Sequence, residues 1–138
     1  MKKSRWMFGA ALIALPLLLA GCVGSVENFS GEPEKFAGEP GGDPDSGVQA
    51  FWLHEGAQLA ITISGSSGCP YIVSSITVVE EADEGNRISA DVPALPDDKV
   101  CTMDYVPHTT VFSTPGTITT TKPLTIEVMD TEIVLPIK

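Results

Sequence analysis

The stretch LTIEVMDTEIVLPI, residues 124–137, decides the fold class. Apolar side chains occupy every second position on either side of a short interruption. These positions are Leu124, Ile126, Val128, Ile133, Leu135 and Ile137. A period of two places alternate side chains on opposite faces of an extended strand, so each half predicts a strand with one buried and one wet face. The interruption, residues 129–132, predicts a tight hairpin connection.

The region from Val48 to Lys138 continues this pattern toward the N-terminus. It is rich in Val, Ile, Thr, aromatic and turn residues and shows no sustained helical periodicity. The predicted strands are 49–54, 58–64, 72–80, 86–92, 100–105, 109–113, 116–121, 124–129 and 132–137. About seven to nine short strands in one domain predict an all-β, immunoglobulin-like antiparallel sandwich over residues 48–138, with Trp52 as its core aromatic residue.

The segment before this domain, residues 22–47, is dominated by Gly, Pro, Ser and acidic residues. Such a composition predicts a disordered acidic tether with a reach of about 25 to 30 Å. Within it, FSGEP at 29–33 recurs as FAGEP at 36–40. Two interpretations stay open: replication slippage in a tether, or a pair of short motifs that each offer one aromatic ring and one carboxylate to a partner.

The first 21 residues have the features of an export signal. Lys2, Lys3 and Arg5 form a positive region, and the apolar run of residues 6–19 is too short to span a bilayer stably. Leu19-Ala20-Gly21-Cys22 then matches the lipobox of bacterial lipoproteins. We therefore expect a signal peptide over 1–21, cleavage before Cys22, lipidation of its thiol, and display on the extracytoplasmic face of the cell membrane. The alternative is an ordinary secretory signal with a chance cysteine.

The charge of the mature chain excludes one class of partner. Three of the eight basic residues and none of the eighteen acidic residues lie in the first 21 positions, which leaves five against eighteen and a formal charge of −13. Such a surface repels phosphate backbones and anionic headgroups. We expect no nucleic-acid partner, and membrane attachment through the lipid anchor rather than through a basic patch.

Cys69 and Cys101 remain once Cys22 is assigned to lipid, and disulfides persist outside the cytoplasm. We expect them to pair and to stabilise the fold by about 3 to 4 kcal/mol. Cys69 lies between Gly68 and Pro70, which is typical of a turn rather than of a bridge at mid-strand. The alternative is a reactive or metal-binding pair, although the spacing is not C-x-x-C.

Three motifs lie between about residues 50 and 130. They are Trp52-Leu53 with Gly56, Ser64-Gly65-Ser66-Ser67-Gly68-Cys69-Pro70, and Cys101-Thr102 with Asp104, Pro107, Thr109 and Thr110. Together they resemble a group of small actinobacterial lipoproteins and secreted proteins with no assigned activity. The resemblance implies no catalytic chemistry that could be transferred to this chain.

A catalytic site is not predicted. Ser66 and Ser67 lie in a glycine-rich turn, but a nucleophile elbow would need glycine where Cys69 stands, and both histidines lie in separate segments. The loop could instead bind an anion or a glycan hydroxyl, with Ser66, Ser67 and His108 as candidate binding residues, or be a turn that leads the chain to the disulfide.

Metal and cofactor sites are also not predicted, although the residues leave some open. Two acidic groups, 80–84 and 97–104 with His108, offer oxygen ligands but lack EF-hand spacing. Met103, His108 and Met129 are a sparse set for copper. Tyr and Thr side chains could line a sugar- or peptide-binding face, or fill the core and exposed strand positions.

Together these features predict a membrane-anchored extracytoplasmic lipoprotein that acts as a non-enzymatic binding or structural module. The expected partner is an envelope protein or cell-wall component. The alternative is a lipoprotein that binds a small ligand or a metal ion.

Overall fold

The computed structural model describes residues 21–138, and the signal peptide predicted over 1–21 lies outside them except for Gly21. Ten strands form two five-stranded sheets. They are β1 (Val23–Gly24), β2 (Glu27–Ser30), β3 (Ala37–Asp43), β4 (Val48–Leu53), β5 (Gln58–Gly65), β6 (Ser75–Glu80), β7 (Arg87–Asp91), β8 (Val106–Ser113), β9 (Leu124–Val128) and β10 (Thr131–Leu135). Sheet I has the order β1-β6-β7-β9-β10 and sheet II the order β2-β8-β5-β4-β3. All neighbours are antiparallel except β7 and β9.

The core lies between the two sheets, which confirms the predicted all-β sandwich. It is built from the alternate apolar positions of β4, β5, β7 and β9, with further apolar residues from their neighbours. Trp52 is fully buried, as predicted, and its indole Nε1 donates a hydrogen bond to the carbonyl oxygen of Pro136 at 2.9 Å. This bond satisfies the one polar atom that a buried Trp brings into a core.

The hairpin that the opening stretch predicts is also confirmed. Val128 pairs with Thr131, so the loop between β9 and β10 has two residues, Met129 and Asp130. Both have positive φ, +46° and +59°. Positive φ at both central residues is the type I′ geometry, which suits the right-handed twist of the flanking strands.

Two predicted strands are wrong. Residues 100–105 and 116–121 lie in the connections before β8 and before β9. The first is joined to a neighbouring connection by the disulfide. In the second, the backbone of Thr119 is hydrogen-bonded to the side-chain amide of a buried asparagine, Asn86. The disulfide and the side-chain hydrogen bonds hold these two connections in place without a neighbouring strand. β-Propensity alone therefore does not decide their conformation. The other seven predicted segments overlap β4 to β10, with ends that differ by up to three residues.

The disordered tether predicted over residues 22–47 is wrong as well. β1 pairs with β6 in sheet I, whereas β2 pairs with β8 and β3 with β4 in sheet II. The sandwich therefore begins at Val23 and not at Val48. These strands lie at sheet edges, where backbone hydrogen bonds to an existing strand contribute stability that a count of apolar residues does not register.

Two glycines of this segment, Gly38 and Gly41, are required by close packing. A Cβ placed on Gly41 would lie 2.6 Å from the Cα of Leu135, and one on Gly38 would lie 2.9 Å from the Cα of Lys138. The C-terminal strand thus packs directly on the backbone of β3. In the sequence these glycines suggest disorder, but in the fold they allow β3 to pack closely against the C-terminal residues.

The repeated FSGEP and FAGEP segments belong to the fold. Residues 31–36 connect β2 and β3, which lie at opposite edges of sheet II, so this strap crosses the outer face of the sheet. Phe29 packs against an apolar cluster on that face, and the ring of Phe36 lies 5.0 Å from that of Phe51. The cluster consists of Phe51, Leu53, Ala60 and Val111. Both aromatic rings of the repeat therefore cover their own domain, and neither belongs to a flexible tether.

Candidate functional site

The first candidate is Cys22, the residue directly before β1. It is exposed and carries a free thiol, and its Sγ lies 3.3 Å from the Oγ1 of Thr77 on β6. The next residue, Val23, already pairs with Ile76 and packs against the core. The thiol is thus accessible to a modifying enzyme, and no spacer separates it from the folded domain.

A surface depression of about 400 Å³ lies beside this cysteine. Its lining comes from the chain around Cys22, from β6, and from the connections 81–86 and 114–123. The lining residues are Gly21, Val23, Val78, Val79, Glu81, Glu84, Pro115, Gly116 and Thr117. The chain therefore enters the domain at the end of the sandwich that these two connections form.

Asn86 holds the two connections together. Its side-chain nitrogen donates to the carbonyl oxygens of Thr119, Lys122 and Pro123 at 3.0, 3.3 and 3.2 Å, and its side-chain oxygen accepts from the Thr119 amide at 3.0 Å. The residue is 1% exposed and has a φ of +53°. Asparagine tolerates this conformation better than most residues. One side chain therefore satisfies the backbone of a loop that has no strand partner.

The disulfide predicted between Cys69 and Cys101 is present, with an S–S distance of 2.04 Å. Neither cysteine lies in a strand, which agrees with the prediction that the bridge is not a mid-strand pin. Cys69 is fully buried, whereas Cys101 is exposed. The bond ties the connection between β5 and β6 to the long connection between β7 and β8, so the two loops form one unit.

Hydrogen bonds around Asp104 reinforce this unit. The Asp104 carboxylate accepts from the hydroxyl groups of Ser67 and Thr102, and it also accepts from the Ser67 amide at 2.9 Å. The Ser66 hydroxyl lies 2.7 Å from that of Thr102. The bonds from Ser67, and then that from Thr102, lower the pKa of Asp104 to about 2. The carboxylate is consequently ionised at every physiological pH.

His108 is not part of this group. Its Nε2 lies 3.0 Å from the Oδ1 of Asn28 on β2, and among the described residues no hydrogen bond joins it to Ser66 or Ser67. Partial burial lowers its pKa. Of the three residues predicted for a binding loop, the structure brings together the two serines and places the histidine on the neighbouring strand pair.

The chemistry of the Asp104 group is that of a structural clamp. A carboxylate with a pKa near 2 is a weak general base at neutral pH, because it holds a proton poorly. The Ser67 hydroxyl donates to this carboxylate and the Ser66 hydroxyl bonds that of Thr102, so both serines use their hydroxyls to join the two loops. Thr102 and Asp104 were not predicted as site residues, although the Cys101-Thr102-x-Asp104 pattern contained both.

Apolar side chains project from the long connection that the disulfide holds. Val100 and Met103 are fully or almost fully exposed, at 93% and 104%, and Tyr105 is 66% exposed. Three large apolar residues within six positions make an unusual surface, because single exposed hydrophobic residues are the ordinary case.

Two carboxylates that the sequence did not suggest as metal ligands lie beside the β9–β10 hairpin. A depression of about 400 Å³ beside the β9–β10 hairpin includes Glu127 and Glu132, but Arg87 contacts these two at 2.9 and 2.7 Å. Within residues 21–138, no three His, Cys, Asp or Glu side chains are grouped as a metal site would require. The same part of the chain contains no helix with the length and apolar character needed to cross a membrane.

Comparisons with known proteins give no relatives for this chain. No family model, no curated protein and no solved structure matches it. The position of Cys22 and the surfaces of the sandwich are therefore the features that bear on function.

Proposed function

We propose that this chain is a lipoprotein anchored at the extracytoplasmic face of a bacterial cell membrane, and that its sandwich is a non-enzymatic binding or structural module. The observation that carries the proposal is the state of the three cysteines. Cys69 and Cys101 form a disulfide, whereas Cys22, at the end of the lipobox-like sequence, is exposed and free. A lipidating enzyme needs such an accessible thiol.

The boundary of the fold supports cleavage before Cys22. Every strand of the described sandwich begins at or after Val23. Removal of residues 1–21 would leave all ten strands intact and would make Cys22 the new N-terminus. Several acyl chains would then hold the domain, since each buried methylene contributes about 0.8 kcal/mol to membrane binding.

The module interpretation follows from the remaining surfaces. Ser66 and Ser67 bond within the Asp104 group, and His108 bonds to Asn28, so these side chains are engaged in holding the fold. With a formal charge of −13 on the mature chain, the domain would bind an envelope protein or a cell-wall component rather than nucleic acid.

Mass spectrometry of the mature N-terminus tests the anchor. The wild-type chain is produced in a bacterial host with an alkyne-tagged fatty acid, and the matched control is Cys22→Ser. We expect an acylated N-terminal Cys22 in the wild type and no label in the variant, which would remain uncleaved at this position. A mature wild-type chain with an unmodified Cys22 thiol would show an ordinary secretory signal instead.

Cross-linking in cells tests the module. The lipidated chain is cross-linked in intact cells, and captured proteins and glycans are identified by mass spectrometry. We expect a reproducible envelope partner that is lost when the sandwich is replaced by an unrelated domain behind the same signal and Cys22. Capture that depends only on the anchor would contradict a binding role.

A further inference from the structure

The strand directions define two ends of the sandwich. In sheet II, Gly65 pairs with Val106 at one end and Gln58 pairs with Ser113 at the other. The connections 66–74 and 92–105, which the disulfide joins, thus lie at the first end, here called the disulfide end. The connection 114–123 leaves Ser113 at the second end, where it meets the 81–86 turn through Asn86. We call this second end the anchor end.

Cys22 lies toward the anchor end. Gly24 pairs with Ser75, where β6 begins after the disulfide-linked connection, and Val23 pairs with Ile76. Cys22 comes next along β6, beside Thr77, and Gly21 lines the depression formed with the two anchor-end connections. The N-terminal direction of the chain therefore points away from the disulfide end.

We propose that the sandwich is held against the bilayer in one orientation, with the anchor end toward the lipid headgroups and the disulfide end outward. This inference rests on the proposed lipidation of Cys22. It follows because the acyl-bearing residue is continuous with β1, so no flexible segment allows the domain to rotate freely. The surface that occupies the anchor end is the bilayer that holds the acyl chains of the same molecule.

The height of the sandwich determines how far from the bilayer the disulfide end is held. β5 has eight residues and runs between the two ends. At about 3.3 Å per residue it spans about 25 Å, so the exposed Val100 and Met103 would be held at roughly that distance above the anchor end. The disulfide and the Asp104 group fix the loops that carry them.

Charge does not produce this orientation. Near the depression beside Cys22, three exposed carboxylates, those of Glu81, Asp83 and Glu84, outnumber one exposed ammonium group, that of Lys122. The 54–57 connection at the same end adds one charge of each sign, the carboxylate of Glu55 and the ammonium group of Lys138, which donates to the carbonyl oxygen of Glu55. Anionic lipids would repel this end, within a Debye length of about 10 Å at 0.1 M salt. The orientation is therefore imposed by the covalent anchor and its place in the fold, and it does not require anionic lipid.

Fluorescence quenching from the headgroup level tests the orientation. Two variants of the lipidated full chain, Thr117→Cys and Met103→Cys, are labelled with the same fluorophore at the introduced thiol, which is exposed in each case. Both are reconstituted into phosphatidylcholine vesicles with a headgroup-linked short-range quencher. Because the labels differ in height by about 25 Å, we expect quenching at position 117 to exceed that at position 103 by about threefold or more.

A spacer variant is the control. About twelve Gly and Ser residues inserted between Cys22 and Val23 supply the flexible reach that the native chain lacks. The two labels should then be quenched nearly equally. A quenching ratio unchanged by the spacer would overturn the inference, because lipid attraction rather than the anchor would set the orientation.

Failure of the two proposals is distinguishable. A chain without acyl groups that does not float with vesicles refutes the proposed function. An acylated chain that floats with vesicles but shows equal quenching at both positions refutes the orientation alone.

Discussion

Asn86→Ala is predicted to be among the most destabilising changes of a polar residue in this domain. The side chain satisfies three carbonyl oxygens and one amide of the 114–123 connection. An amide nitrogen has two hydrogens, so the side chain makes about three full hydrogen bonds in total, each with a net contribution near 1 kcal/mol when buried. Alanine at a φ of +53° costs a further 1 kcal/mol or so. The expected loss is about 4 kcal/mol.

Urea unfolding of the mature Cys22→Ser chain measures this loss. Trp6 is removed with residues 1–21, so Trp52 is the single tryptophan and reports on core exposure through its fluorescence. The matched control is Asn28→Ala, which removes one exposed hydrogen bond to His108 and should cost no more than about 1 kcal/mol.

A carboxylate at the same position gives a second, pH-dependent readout. In Asn86→Asp, the introduced carboxyl group faces three carbonyl oxygens, so its folded pKa is raised above its unfolded value and protonation would restore part of the lost stability as pH falls. A loss below about 1 kcal/mol for Asn86→Ala, or one equal to that of Asn28→Ala, would refute the reasoning, because Asn86 would then not hold the connection.

Three further predictions concern packing, pH and the disulfide. Gly41→Ala should cost about 1 to 3 kcal/mol in thermal unfolding, since its Cβ would meet backbone, whereas Gly24→Ala, with no atom within 4 Å, should be nearly neutral. Asp104 has a folded pKa of about 2, below its unfolded value near 3.8, so it stabilises the fold above pH 4 and this contribution is lost as pH falls toward 2. Asp104→Asn should remove that part of the pH dependence of the urea midpoint, and an unchanged profile would contradict the assignment. Replacing both Cys69 and Cys101 by serine should lower the free energy of unfolding by about 3 to 4 kcal/mol. Protease cleavage between residues 92 and 105 should also become faster. Faster cleavage with an unchanged free energy of unfolding would show that the disulfide does not support the core.

The sequence predicts the strands that bury one face. Leu124, Ile126 and Val128 show a period of two because the opposite face of β9 meets solvent and partner polar groups, and the same holds for the hairpin strand that follows. The disulfide could be predicted because only two cysteines remain once Cys22 is assigned elsewhere. The alternation of apolar residues is a local feature of the sequence, and the disulfide pairing needs only a count of the cysteines.

The strands before Val48 could not be predicted in this way. β2 and β3 are edge strands whose partners, β8 and β4, supply their backbone hydrogen bonds. Gly41 is required by contact with a strand more than ninety residues away, and no local pattern carries that information. The repeat that contains Phe29 and Phe36 is visible in the sequence. It shows only a duplication, however, and does not indicate which residues the two rings contact.

Asp104 and Asn86 could not be predicted for a related reason. Each side chain bonds groups 33 or more residues away in the chain, at Ser67 in one case and around Thr119 in the other, although Asp104 also accepts from the nearby Thr102 hydroxyl. An acidic residue in a loop and an asparagine after glycine are both typical of solvated turns. Their roles depend on which connections the sheets bring to the same end of the sandwich.

The loss of the predicted tether changes what kind of partner the proposed lipoprotein could reach. A flexible segment of residues 22–47 would have given the domain about 25 to 30 Å of additional range. Those residues are instead strands and the strap, so an acylated Cys22 would keep the whole domain at the bilayer surface. A partner would have to come within about one domain height of the headgroups and meet the disulfide end, where Val100, Met103 and Tyr105 are exposed. A membrane protein or another surface-held component satisfies this condition, and a component fixed in distant layers of the cell wall does not.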